Sequence, residues 1–302
     1  MPHKSTHKKN STSLHYAYLK RRWTAKHKAV QKDLWEKHKP YLEHLQLESK
    51  KALAGSVAGL LMMSQPVPIS LLSQALPRDE PLLRETQAQL QAKLAQELIN
   101  ILPTEVQPLS DNQETQISAI LSTHYGMSVK PSLEGKRLNR SYGLIGAEQH
   151  LMRYPGDTMA SHFNTPEESP PFYSSGMAPG RGAWGYFAYS RESMTATDIM
   201  REKYYIAVPT FLSPTWHADV SGHYKFFKYR KMLVVNPENG KGVVADIADA
   251  GPAQWTGKHL GGSPEVMKHL ERVDGSGKGP VLYLFIDDPH NDVPLGPVDV
   301  QS

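Results

Sequence analysis

The chain has 302 residues, 39% of them hydrophobic, with 23 Pro, 22 Gly and no Cys. That length allows one large domain or two modest ones around a real core, and the missing Cys excludes disulfides, thiolate metal sites and cysteine nucleophiles. The net charge of +4 hides an asymmetry: residues 1–51 carry 13 Lys or Arg against 4 Asp or Glu, a local +9, so the other 251 residues carry −5.

The basic first segment, with six His among its 51 residues, suits an anionic partner (an anionic membrane surface, nucleic acid or an acidic wall polymer) and reads equally as a solvated tail. Lys50-Lys51 then precede Ala52–Met63, a run of 12 uncharged residues. This run is too short to span a bilayer as a helix, which takes roughly 20 residues. A basic flank before a short apolar core resembles an export signal, and a small-residue helix packed in a core fits equally. Residues 1–77 therefore read as a basic arm with a signal- or anchor-like segment.

Residues 78–135 read as a helical hairpin or accessory region. Glu85 to Leu102 predicts a helix whose stripe is Leu90, Leu94, Leu98 and Ile99, stopped by Pro103. Ser110 to His124 predicts a second, capped by Ser110, with Ile117, Ile120 and Leu121 on its apolar face and Gly126 at its end. From Leu138 to Tyr189 the chain is dense in Gly, Pro and aromatics without helical period, and reads as loops and short strands that form a functional surface. Glu202 to Phe211 returns to β character.

Lys231 to Leu270 carries the most information. Met232-Leu233-Val234-Val235 is a short β run, Asn236-Pro237-Glu238-Asn239-Gly240 a tight turn, and Val243 to Asp249 a second strand. Gly251-Pro252 breaks it, and Ser263-Pro264-Glu265 opens a short helix with an N-cap, a Pro at the first helical position and an acid in the first turn. Val281 to Ile286 is the most apolar β run and reads as a central barrel strand, with Leu295 to Val298 closing the last edge. The fold class expected is α+β, with a β-rich domain over 136–302.

The ordered residues Val235-Asn236, Asn239-Gly240-Lys241, Val243-Val244, Asp249-Ala250-Gly251-Pro252, Gly257-Lys258 and Ser263 to Met267 resemble the rare lipoprotein A-like double-psi β-barrel family. The resemblance covers about 40 residues firmly and extends over roughly 204–298. It implies a double-psi β-barrel acting on or binding peptidoglycan, a cell-envelope location (periplasmic or secreted), and lytic transglycosylase chemistry with a single catalytic carboxylate. One departure stands out. The family carries D-L-S after its Gly-Arg, and the corresponding segment here is His259-Leu260-Gly261-Gly262-Ser263, which has no carboxylate.

Glycosidic cleavage needs a carboxylic acid to protonate the leaving oxygen. Asp249 is the candidate acid, with Glu148 or His217 as helper. Glu148 and His150 stand two apart, so on a strand they would share a face. Trp255, Trp216 and Trp184 offer flat faces for sugars or for core, and His150, Asp246 and Lys258 join them as candidate ligand-binding residues. Trp216-His217-Ala218-Asp219 with His223 superficially resembles a zinc set but matches no full signature, so no metal is expected. Walker loops, dinucleotide fingerprints and nucleophile elbows are all missing, and no cofactor is expected. Two other readings stay open: a non-catalytic glycan-binding or structural envelope protein, and a nucleic-acid-associated protein acting through residues 1–51.

Overall fold

A computed structural model describes residues 85–163, 165, 167–272 and 278–301. The expectations for the basic arm and for Ala52–Met63 lie outside the described residues. Among the described residues no helix is long and apolar enough to cross a membrane.

Two helices come first. Helix α1 (Gln87–Ile99) starts at Thr86 and α2 (Asp111–Tyr125) at Ser110, each with a reciprocal capping box through a Gln at the third helical position. Gly126 ends α2 in the left-handed conformation at φ 63°. The expected stripe on α1 needs one correction. Leu90, Leu94 and Leu98 are buried, but Ile99 is 55% exposed, because the next position round the helix turns 100° away from the seam.

The strands follow as β1 (Val129–Lys130), β2 (Ser132–Leu133), β3 (Lys136–Arg137), β4 (Tyr142–Ala147), β5 (Tyr205–Ala207), β6 (Lys231–Val235), β7 (Gly242–Asp249), β8 (Leu260–Gly262), β9 (Lys278–Ile286) and β10 (Gly296–Val298). Six of them close on themselves in the order β4-β8-β5-β7-β6-β9 and back to β4. The pairs β4/β8 and β5/β7 are parallel and the others antiparallel. The result is a closed mixed β-barrel, which leaves few free edges; β1 adds to β9 and β10 to β7.

Strand alternation divides the core in two. Met232 and Val234 of β6, with Val281, Tyr283 and Phe285 of β9, fill the barrel. Leu233 and Val235, with Leu282, Leu284 and Ile286, face outward and pack under Leu94, Leu98, Ile117 and Leu121 of α1 and α2. Strand β9 therefore reads as an unbroken apolar run because both of its faces are covered.

The β6–β7 turn explains the Asn-Gly pair. Gly240 takes φ 69°, and a Cβ there would meet the Gln91 carbonyl oxygen at 2.2 Å. The Tyr125 hydroxyl donates to the Gly240 carbonyl at 2.9 Å. Close seating of the helices, as well as the turn itself, requires glycine.

The expected β character at 202–211 is shorter than the sequence suggests. Helix α4 (Ala196–Lys203) occupies its start, capped by Thr195 with Asp198, and β5 begins at Tyr205. Helix α3 (Met159–His162) lies within the Gly/Pro-rich stretch, α5 (Val220–Phe227) precedes β6, and α6 (Pro264–His269) lies between β8 and β9. Ser263 caps α6 as expected.

Asp246 on β7 is almost fully buried, with Oδ2 3.2 Å from Arg201 Nε. Burial outweighs Arg201 and Lys231 and pushes its carboxyl up to about 7. The folded state then holds a proton that the unfolded chain gives up near pH 4. This group's contribution is full below about pH 4 and declines as pH rises towards 7. Asp246→Asn should therefore gain stability relative to wild type between pH 4.5 and 8, by no more than a few kcal/mol. Urea unfolding of both proteins at the two pH values checks it; a constant difference would refute the buried neutral acid.

Candidate functional site

Strand β7 ends at Asp249 and runs into the loop Ala250–Gly257, whose Gly251–Pro252 peptide is cis. A 3-10 turn, Gln254–Thr256, is closed by Gly257 at φ 66°. This turn holds Trp255 out at 90% exposure. Trp255, Trp216, Phe211 and His217 line an open groove of about 1130 Å³ with the Ala250–Gln254 backbone. A second depression, about 620 Å³, shares Leu212, Pro252 and Gln254 and brings in Arg140, Lys258 and His259. An aromatic wall thus leads to a cationic one. Arg140 Nη1 stands 2.9 Å from His259 Nε2. Burial, then the Arg140 charge, holds His259 below the usual imidazole range.

The structure separates the other candidates. Asp249 is half-buried, and its Oδ1 accepts the Ala183 and Ala250 amides, both at 2.8 Å; one carboxylate oxygen is thereby committed to holding two loops. Asp246 faces Arg201 instead of the groove. Trp184 is 8% exposed in the barrel core, donates Nε1–H to the Ile247 carbonyl and meets Tyr224 edge-on, so its ring is spent on packing. Trp216 is half-buried against the core, near His223. His223 spends Nδ1 on the Asp219 carbonyl and Nε2 on the Thr215 hydroxyl. Asp219 caps α5. The 216–223 stretch is thus a turn and cap rather than a ligand set.

Glu148 and His150 do not act on one another. Glu148, just past β4, pairs with Lys258 Nζ at 3.0 Å. Its side chain crosses Gly261 so closely that a Cβ at 261 would lie 2.2 Å from Glu148 Oε1. A carboxylate therefore occupies the space that a side chain on Gly261 would need.

His150 turns inward into a fully buried cluster. Its Nδ1 is 3.2 Å from Glu202 Oε1, and His162 Nε2 is 3.0 Å from Glu202 Oε2. His162 Nδ1 is 2.8 Å from Asp157 Oδ2. The Leu151 amide also donates to Glu202 at 3.1 Å. Phe163 packs edge-on against both imidazoles. Burial alone would lower His162, but Asp157 and Glu202 on either side lift it to about 9. Burial would raise Glu202, but the two imidazoles hold it at about 2. Glu265 nearby is pushed up to about 7 by burial and by Glu202. His162, Glu202 and Asp157 went unsuspected in the sequence. His150, His162 and Glu202 are the one His/Cys/Asp/Glu group among the described residues able to hold a metal.

Comparison of the chain with protein-family models, curated proteins and solved structures finds no match.

Proposed function

We propose that this protein is a double-psi β-barrel of the rare lipoprotein A-like type that binds peptidoglycan, or a related anionic envelope glycan, along the groove beside Trp255. The closed mixed barrel is compatible with that fold. The single observation that carries the binding reading is Trp255. An indole 90% exposed on a turn that rims a groove has no packing role to explain it. Its face suits the C–H face of a sugar ring, and Arg140 in the adjoining depression suits carboxylates on the glycan.

A second reading, lytic cleavage, is favoured by Glu148. In the resemblance, His259 to Ser263 corresponds to the family's D-L-S and has no carboxylate, and Glu148, just past β4, lays its carboxylate against Gly261 in that segment. Lys258 Nζ engages Glu148 Oε1 at 3.0 Å, as two amides engage Asp249 Oδ1, so the Glu148→Gln variant decides whether Glu148 serves as the acid. His217 stands exposed on the groove wall, available to ligand.

Co-sedimentation of the full chain with purified peptidoglycan tests the binding reading. Trp255→Ala should weaken binding by roughly tenfold or more, with an unchanged unfolding midpoint. Equal binding by wild type and variant would refute the groove. Mass spectrometry of the soluble fraction separates the two readings: anhydro-sugar products lost in Glu148→Gln, with binding retained, establish cleavage, and binding without products leaves a binding module.

A further inference from the structure

The buried His150–His162–Glu202 cluster lies apart from the aromatic groove and is unused by the function proposed for it. The three residues come from separate places: the segment after β4, helix α3 and helix α4. All three are essentially inaccessible, and their donor atoms all lie within 4.8 Å of one another.

We propose that His150, His162 and Glu202 bind a divalent first-row transition metal ion, with zinc the best fit, and that Asp157 orients His162 from behind. Two imidazoles and one carboxylate are the donor set of three-residue zinc sites that keep a fourth position for water or substrate. Bonds of about 2.0–2.1 Å in a tetrahedral array separate neighbouring donors by roughly 3.3 Å. Glu202 meets each imidazole with a different oxygen, at 3.2 and 3.0 Å, and one donor atom from each residue can be chosen so that all three lie within 4.8 Å of one another. His162 points Nε2 into the cluster while Nδ1 is held by the Asp157 carboxylate. This carboxylate–histidine pairing fixes the tautomer and raises the basicity of a ligating imidazole.

The independent observation is on His150. Its Nε2 is buried with no hydrogen-bond partner. A fully buried imidazole normally satisfies both nitrogens, and the protein alone leaves one nitrogen of His150 without a partner. Access comes through a depression of about 330 Å³ lined by His162, Glu202, Phe163, Glu265 and Arg153. Arg153, whose Nε stands 3.6 Å from Asp157 Oδ2 and whose Nη2 lacks a hydrogen-bond partner, lines the same depression.

The chain's other histidines, six of them in residues 1–51, require a specific test. Full-length protein stripped with chelator would be titrated with Zn²⁺ and with Co²⁺, following stoichiometry, the unfolding midpoint and the visible spectrum of bound Co²⁺. Wild type should retain one equivalent tightly, with a raised midpoint. His150→Gln and Glu202→Gln should each weaken that equivalent by roughly a hundredfold or more, and Asp157→Asn by about 10–100-fold. Wild type that takes up neither ion, or variants that bind as tightly as wild type, would overturn the site. Should a variant fail to fold, zinc-edge anomalous density from wild-type crystals decides: a peak between His150, His162 and Glu202 supports the site, and a peak only elsewhere, or none, overturns it.

Discussion

Phe285→Ala should lower the unfolding free energy by about 3–5 kcal/mol. Phe285 is fully buried on β9 and lies inside the barrel, paired across the strand with Met232. It meets Phe226 edge-on at 5.5 Å and lies 6.2 Å from Phe227. Truncation removes a large apolar group and leaves a hole that a closed ring of strands cannot collapse to fill. The neighbouring Leu284→Ala change would empty the other face, beneath the helices. Chemical denaturation measures both. A loss below about 1 kcal/mol for Phe285→Ala would mean that the strand does not line a closed core.

Asn236→Ala should cost about 3 kcal/mol, an unusually large penalty for a turn residue. The Asn236 side chain is buried and works in two directions. Nδ2 donates to the Leu270 carbonyl at 2.8 Å; Oδ1 accepts the Glu238 amide at 3.0 Å and Arg272 Nη2 at 2.6 Å. The β6–β7 turn, the end of α6 and the approach to β9 are joined through this one amide. Alanine leaves a buried carbonyl and a largely buried guanidinium short of partners. Asn236→Asp keeps the acceptor towards Arg272 but loses the donor to Leu270, and should fall between the two. Thermal or urea unfolding of the three proteins gives the order; an Ala variant as stable as wild type would show that the turn is held by its backbone alone.

What the sequence made legible was local. Helices α1 and α2 could be read because their apolar stripes and the Ser110 cap lie close together in the chain. The β6–β7 hairpin and α6 could be read because Asn239-Gly240 and Ser263-Pro264 carry specific backbone geometry. The covered faces of β9 follow from its unbroken apolar run. Helix α4 went unread, although Thr195 and Asp198 form a capping pair; its eight residues of mixed polarity lack enough turns to show a period. Glu202, near the end of that helix, therefore reads in the sequence as the start of a β run.

The buried cluster was illegible for a different reason. His150 and Glu202 stand 52 residues apart, and His162 sits in a short helix inside a Gly/Pro-rich stretch. Their convergence is tertiary, and no spacing rule announces it. In the groove, Trp255 was legible because its loop placed it beside Asp249. The crossing of Glu148 over Gly261 was not, because it depends on the parallel β4/β8 pairing. Trp184 shows the ambiguity of aromatics: the same residue type that rims the groove at 255 is core at 184.

The most direct test of the groove as the glycan site is hydrogen exchange of the full chain, with and without soluble peptidoglycan fragments, read by mass spectrometry. Slowed exchange is expected in the segments 211–217 and 250–259, with the α1–α2 face unchanged. Unchanged exchange in those two segments at saturating ligand, or protection confined to the helical face, would contradict it.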